Sequence, residues 1–211
     1  MNEFITKEML DFFNDRTKKH IELVQNNSKK IINKLNLSDD EKKQFHHLFK
    51  KHDASKFEEP EKTPYVLVSW KYKVGKDAFN KLNIPQPIID KMNDATEHHV
   101  KNNKHHPEYW DENATEDIIN KTDRDKPSIL IDGTKMPDIY IVEMICDWCA
   151  VSQERKSNPY DWADNNVNIR WEFTDKQKDF IYKLLNIIWG EDERKKFKTT
   201  LDKKRKISHR N

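Results

Sequence analysis

The sequence predicts an all-α fold, a compact multi-helix bundle in a single domain, and three observations carry that prediction. Apolar residues recur at steps of three and four along most of the chain, with no sustained two-residue alternation. Glycine is scarce, three in 211 residues, which leaves little material for the tight turns of a hairpin-rich β fold or for Gly-rich phosphate loops. The length suits one ordinary domain that can bury its own core, so a metal site would serve function rather than folding.

The 3.6-residue period places helices at roughly 7 to 35, 39 to 55, 62 to 73, 86 to 103, 137 to 154 and 174 to 189. Start signals support several of them: Ser38 with Glu41 forms a capping box, Pro137 suits a first helical turn, and Thr174 can cap the last helix. Residues 111–136 are polar, contain the turn pair Asp132-Gly133 and read as a long excursion between two core helices. The domain is expected to span residues 1–190. Residues 191–211 form a basic tail ending in "DKKRKISHRN", the one place where weak nucleic-acid contact is expected.

Charge and cysteine content narrow the function classes. With 39 basic against 37 acidic residues the net charge is only +2, so no global field marks a nucleic-acid binder. Two cysteines, Cys146 and Cys149, lie in "CDWC" on an expected helix and read as buried thiols rather than a zinc pair. No apolar run is long enough for a signal peptide or a membrane span, and the expected setting is intracellular.

The informative pattern is where histidine and aspartate fall on apolar stripes. His20 shares a helical face with Phe13, Thr17, Val24 and Ile31; His52 and Lys56 share one with Phe45 and Phe49. His99 aligns with Ile88, Met92 and Ala95, and Asn103 and His106 continue the line if the helix persists. Asp147 aligns with Tyr140, Met144 and Val151. An inward imidazole or carboxylate without a partner costs several kcal/mol, so such groups on four helices point to a shared cation held by His20, His52, Asp53, His99 and Asp147. Adjacent residues on a helix diverge by about 100°, so His52 and Asp53 would reach one or two metals from different sides, with Asp53 able to bridge. His106 is needed only for a second metal. Helical phase selects His99 over His98 but cannot choose between His105 and His106.

The order His20, "HD" at 52–53, the pairs at 98–99 and 105–106, then Asp147 resembles the HD-domain superfamily of metal-dependent phosphohydrolases over about residues 13 to 154. "HDASK" is similar to the HD-x-x-K run of the cyclic-dinucleotide phosphodiesterase branch, but "PEYWDEN" replaces that branch's Gly-rich continuation. The segments "HIELV", "HDASKF", "HHVKNNKHHPEYW" and "EMICDWCA" resemble more closely an uncharacterised family of small helical proteins from bacteria, phages and large DNA viruses. The resemblance implies that His20, His52, Asp53 and Asp147 are metal ligands, with His99 and His106 at a second metal.

The resemblance also implies hydrolysis of a phosphate ester or anhydride, expected in a nucleotide. One or two divalent ions (Mn, Fe, Co, Ni, Zn or Mg) would activate water, with Asp53 and Lys56 as catalytic residues. Lys56, Asn103 and Trp110 are the expected substrate contacts, Trp110 because it follows His106 closely and can stack on a base. Two alternatives stay open. The same ligand order also resembles the di-iron myo-inositol oxygenase, and a non-catalytic binding protein could keep the helical frame.

Overall fold

The computed structural model describes residues 4–35, 37–114 and 129–190, and it is a helical bundle as the sequence predicts. Eight α-helices occur among the described residues: α1 Lys7–Ile32, α2 Asp39–Lys50, α3 Lys62–Val74, α4 Lys76–Asn80, α5 Gln86–Asn102, α6 Asp138–Arg155, α7 Pro159–Asn166 and α8 Asp175–Ile188. The expected caps form. Ser38 Oγ accepts from Glu41 N and Glu41 answers on Ser38 N, and Thr174 makes the same reciprocal pair with Gln177. Pro137 occupies the N-cap of α6.

Three features depart from the sequence reading. The short helices α4 and α7 interrupt segments without a long period of their own, and two two-residue strands, β1 Ile131–Asp132 and β2 Trp171–Glu172, pair in parallel in the register Ile131 with Trp171. Strands that short carry no readable alternation. The third departure matters most: α2 stops at Lys50 instead of running to about residue 55, and His52-Asp53 lies in a turn before a 3₁₀ segment, Ala54–Phe57. Asp53 adopts the left-handed conformation (φ 57°), which aspartate enters more readily than most residues. The two side chains therefore diverge by a turn rather than by the 100° step of a helix.

Helix α1 is the spine, packing against α6, α3, α2 and α8, while α6 also contacts α7 and α8. Its two halves belong to different apolar clusters. Met9 and Phe13 pack with Val66, Leu67, Phe79 and Met92; Val24 and Ile31 pack with Phe45, Phe49, Ile145 and Leu184. His20 sits between Phe13 and Val24, at the seam of the two clusters. On α5, His99 lies at the same seam, between Met92 of one cluster and Val100 of the other.

Part of the long excursion, 115–128, and the basic tail, 191–211, lie outside the described residues. The returning end is tightly held. Asp132 Oδ1 accepts from Thr134 N at 2.8 Å, Gly133 N donates to Glu172 O at 2.9 Å, and the Gln177 amide donates to the carbonyls of Gly133, Thr134 and Met136. A Cβ on Gly133 would lie 2.7 Å from the buried Phe173 ring and 3.1 Å from Glu172 O. Gly133→Ala is therefore expected to destabilise the fold by about 1–3 kcal/mol through overpacking, read as a lower urea midpoint with an unchanged m-value.

Candidate metal centre

The turn after α2 drives Asp53 into the seam, where the carboxylate is 1% exposed and its two oxygens face different ways. Oδ2 lies 3.7 Å from both His20 Nε2 and His52 Nε2, and Asp147 Oδ1 lies 2.9 Å from His20 Nε2 and 4.0 Å from His52 Nε2. Oδ1 faces His99 Nε2 at 3.2 Å and His105 Nε2 at 3.8 Å. Donors about 2.0–2.2 Å from a common ion stand about 3–4 Å apart. Among the described residues three groups have ligand atoms within 4.8 Å of one another and could hold a metal ion: His20, His52 and Asp147; His99, His105 and His106; and His52, His105 and Glu143. Asp53 stands between the first two.

The outer nitrogens of these rings are held by carboxylates. His52 Nδ1 lies 2.9 Å from Glu143 Oε1, His99 Nδ1 2.9 Å from Glu61 Oε2, and His20 Nδ1 faces Glu154 Oε1 at 3.4 Å. A carboxylate at Nδ1 favours an N–H there, so that whenever the ring is neutral the lone pair is on Nε2 and faces the centre. Three inner atoms then have no hydrogen-bond partner although they are buried: His52 Nε2, Asp53 Oδ1 and His106 Nε2. Leaving each unpaired costs about 1–3 kcal/mol, and a divalent cation is the group that imidazole and carboxylate donors together would accept. The residues present fit a metal.

Burial and charge set the protonation of the metal-free site. Burial alone would lower the His20 pKa, but hydrogen bonds to Asp147 and Glu154 outweigh it and raise it to about 9. Burial opposes ionisation of Asp147, yet the His20 contact draws it down to about 2. Asp53 also ionises against its burial, held well below the usual range by Lys56, His52 and His99. Burial and the neighbouring charge of His52 push His105 well below the ordinary histidine value, and burial beside His105 does the same to His106. Both are neutral at pH 7, the form that binds metal.

A cleft of about 290 Å³ opens onto these groups, lined by His20, Asp53, Lys56, His99, His105, His106 and Asp147. Lys56 Nζ donates to Asp53 Oδ2 at 2.6 Å and lies over the Tyr65 ring. His98 points away from the donors and binds Glu61 Oε1 at 2.8 Å, as helical phase indicates. Both members of the 105–106 pair enter the site, because the chain leaves helical geometry at Asn103 and turns through Lys104 and His105, with His106 N donating to Asn103 O at 3.0 Å.

Two expected substrate contacts lie elsewhere. Asn103 lines neither this cleft nor the cavity beside it; its amide donates to Ser55 Oγ and the His99 carbonyl, so it braces the ligand helix. Trp110 is also absent from both walls, donates to Lys104 O at 2.9 Å and packs on Tyr140. The sequence reading missed Glu61, Glu143 and Glu154. Glu143 and Glu154 precede and follow Asp147 by four and seven residues on α6, a helical repeat that was available; Glu61 comes from a turn and carries no such signal. Cys146 and Cys149 are free and buried, and burial pushes the Cys149 thiol up to about 12.

A model of the family described as "Family of unknown function (DUF5662)" matches residues 9–187. No curated protein and no solved structure matches.

The His20 pairing has a stability consequence for metal-free protein. Its folded pKa is raised from 6.5 to about 9, so its contribution is complete below about pH 6.5 and is lost as pH rises through 9. In chelator, the melting temperature of the native chain should exceed that of a His20→Asn variant most near pH 6, with the gap closing by pH 9 to 10.

Proposed function

Because the chain belongs to the DUF5662 family, whose function is unknown, its activity is read from the site, and we propose a metal-dependent phosphohydrolase acting on a nucleotide or related phosphate ester. One observation carries the reading: His52 Nε2, Asp53 Oδ1 and His106 Nε2 are buried without partners beside a cleft that also holds the Lys56 ammonium. Donor atoms for a cation and a fixed positive charge at one opening suit an anionic, metal-seeking substrate. The likeness of the ligand order to HD-type phosphohydrolases points the same way.

His20, His52, Asp53 and Asp147 would hold one ion, and His99, His105 and His106 a second that shares Asp53. A divalent cation there supplies Lewis acidity that polarises a phosphate and lowers the pKa of a water toward neutrality. The chain's own groups do the rest. Glu143 and Glu61 fix the His52 and His99 rings, which keeps those donors from turning away as substrate enters. Lys56, held charged by Asp53 against its burial, neutralises the equatorial oxygens of the phosphoryl group. In hydrolysis the water oxygen bonds to phosphorus as the bond to the leaving oxygen breaks. The water's proton passes to solvent, and the leaving oxygen gains one from solvent.

Two donor groups sharing a carboxylate also suit a di-iron oxygenase. Lys56 in the cleft favours the phosphate reading, since its charge answers a phosphoryl group more directly than a polyol. Iron-dependent oxygen uptake without phosphate release would select the oxygenase.

Metal analysis of protein purified without chelator should find bound divalent metal in the native chain and little in His52→Ala and Asp53→Ala. Retention in both variants would overturn the site. With metal restored, phosphate release from a nucleotide panel should fall by about 10²–10³-fold in Lys56→Met; release from none of the nucleotides with any of the six metals would reject the activity. Glu143→Gln, which weakens the acceptor at His52 Nδ1, should lower metal affinity by about 10–100-fold, measured by competition with a chelating dye.

A further inference from the structure

A second cavity, of about 310 Å³, adjoins the metal cleft and shares His106, Asp147 and Arg155 with it. Its walls combine three tryptophans with the charged groups Glu108, Asp147, Arg155 and Arg170, and the Arg170 guanidinium lies 4.6 Å over the Trp171 ring. Trp148 of α6 and Trp171 of β2 stack at 5.5 Å with 19° between planes, and Trp162 of α7 meets Trp171 edge-on at 6.2 Å. Trp162 is 40% exposed, an unusual position for a tryptophan with only a packing role.

Glu108 also lines this cavity. It is 2% exposed, and its Oε1 accepts from both Arg170 at 3.1 Å and the Trp171 indole at 3.0 Å. Its other oxygen, Oε2, is buried and accepts nothing. The cavity thus sets the exposed Trp162 ring near one unanswered acceptor, and it opens beside donors suited to the metal end of a substrate. A planar ring that stacks and carries an N–H on its edge satisfies the first two features, and a phosphate attached to it would meet the third.

We propose that this cavity is the base subsite: it takes a nucleobase with N–H donors on its edge, stacked on Trp162 and donating to Glu108 Oε2. The inference rests on the nucleotide reading above and sharpens it, because the base would be chosen for its donors. Guanine presents a ring N–H beside an amino group. Unsubstituted purine has the same ring outline and neither donor.

The test uses nucleosides, which carry no phosphate, and the full-length protein in chelator, so that neither metal nor turnover contributes. By isothermal titration calorimetry guanosine should bind saturably and at least about tenfold more tightly than purine riboside, the worth of a hydrogen bond to a charged acceptor. Trp162→Ala, at a half-exposed position, should keep its melting temperature and lose about tenfold or more in guanosine affinity. Glu108→Gln can keep its oxygen toward Arg170 and Trp171 while placing an amide N–H where Oε2 stood, which should remove or reverse the preference over purine riboside. Should that variant unfold, Trp162→Ala and the nucleoside comparison still decide.

Equal binding of the two nucleosides, or binding of neither, overturns the base subsite. Guanosine binding without phosphate release from any nucleotide would leave the subsite standing and reject the hydrolase. Phosphate release from both nucleotides and phenyl phosphate, with no nucleoside binding, would do the reverse.

Discussion

The Asp53 carboxylate is the constraint from which the rest of the centre follows. It is nearly inaccessible to water, and each oxygen serves a different neighbourhood: Oδ2 faces His20, His52 and Lys56, while Oδ1 faces His99 and His105. To reach that position the chain must leave helix α2 at Lys50 and pass through a left-handed residue. An uncompensated carboxylate at such depth would ionise only at great cost, and Lys56, His52 and His99 supply the positive charge and hydrogen bonding that hold it ionised. Helix α1 brings His20, α5 brings His99, and α6 brings Asp147 together with the carboxylates Glu143 and Glu154 that hold the histidines.

Much of this frame was legible in the sequence, and the reasons are specific. His20 and His99 fall on apolar stripes of long helices, where the 3.6-residue period decides which face is buried, and the same period correctly turned His98 away. Ser38 with Glu41, and Thr174 alone, marked their helix starts because the caps are local interactions. The HD pair was read on a helix that the structure ends earlier. Phe45 and Phe49 predict burial nearby, but nothing local announces that Asp53 will adopt a positive φ; that conformation is selected by the groups waiting in the seam. His105 was missed as a separate donor for a related reason. Beyond Asn103 the backbone turns, helical phase no longer applies, and successive residues can both reach the centre.

Asn103 and Trp110 show the limit of adjacency in sequence as a guide to a site. Each follows a ligand closely, yet Asn103 braces Ser55 and the His99 carbonyl, and Trp110 packs on Tyr140. The aromatic wall next to the centre is built instead from Trp148, Trp162 and Trp171, which come from α6, α7 and the short strand β2. Only the packing of α7 and β2 against α6 brings them together. A two-residue strand leaves no trace in hydrophobic periodicity, so the sequence held the tryptophans without their arrangement.

The seam also explains how one small domain can combine a stable core with an open donor set. Its two apolar clusters lie on either side, so the polar network interrupts neither. In the metal-free state the carboxylates there are balanced by internal cations, protonated His20 against Asp147 and Lys56 against Asp53. A divalent ion in the first group would take over the balancing of Asp147 and displace the Nε2 proton of His20, since a coordinating imidazole must be neutral. Lys56 differs because its charge persists at any neutral pH and its ammonium lines the cleft. The same network therefore contains one positive group that a metal would replace and another, Lys56, whose charge stays in the cleft beside Asp53.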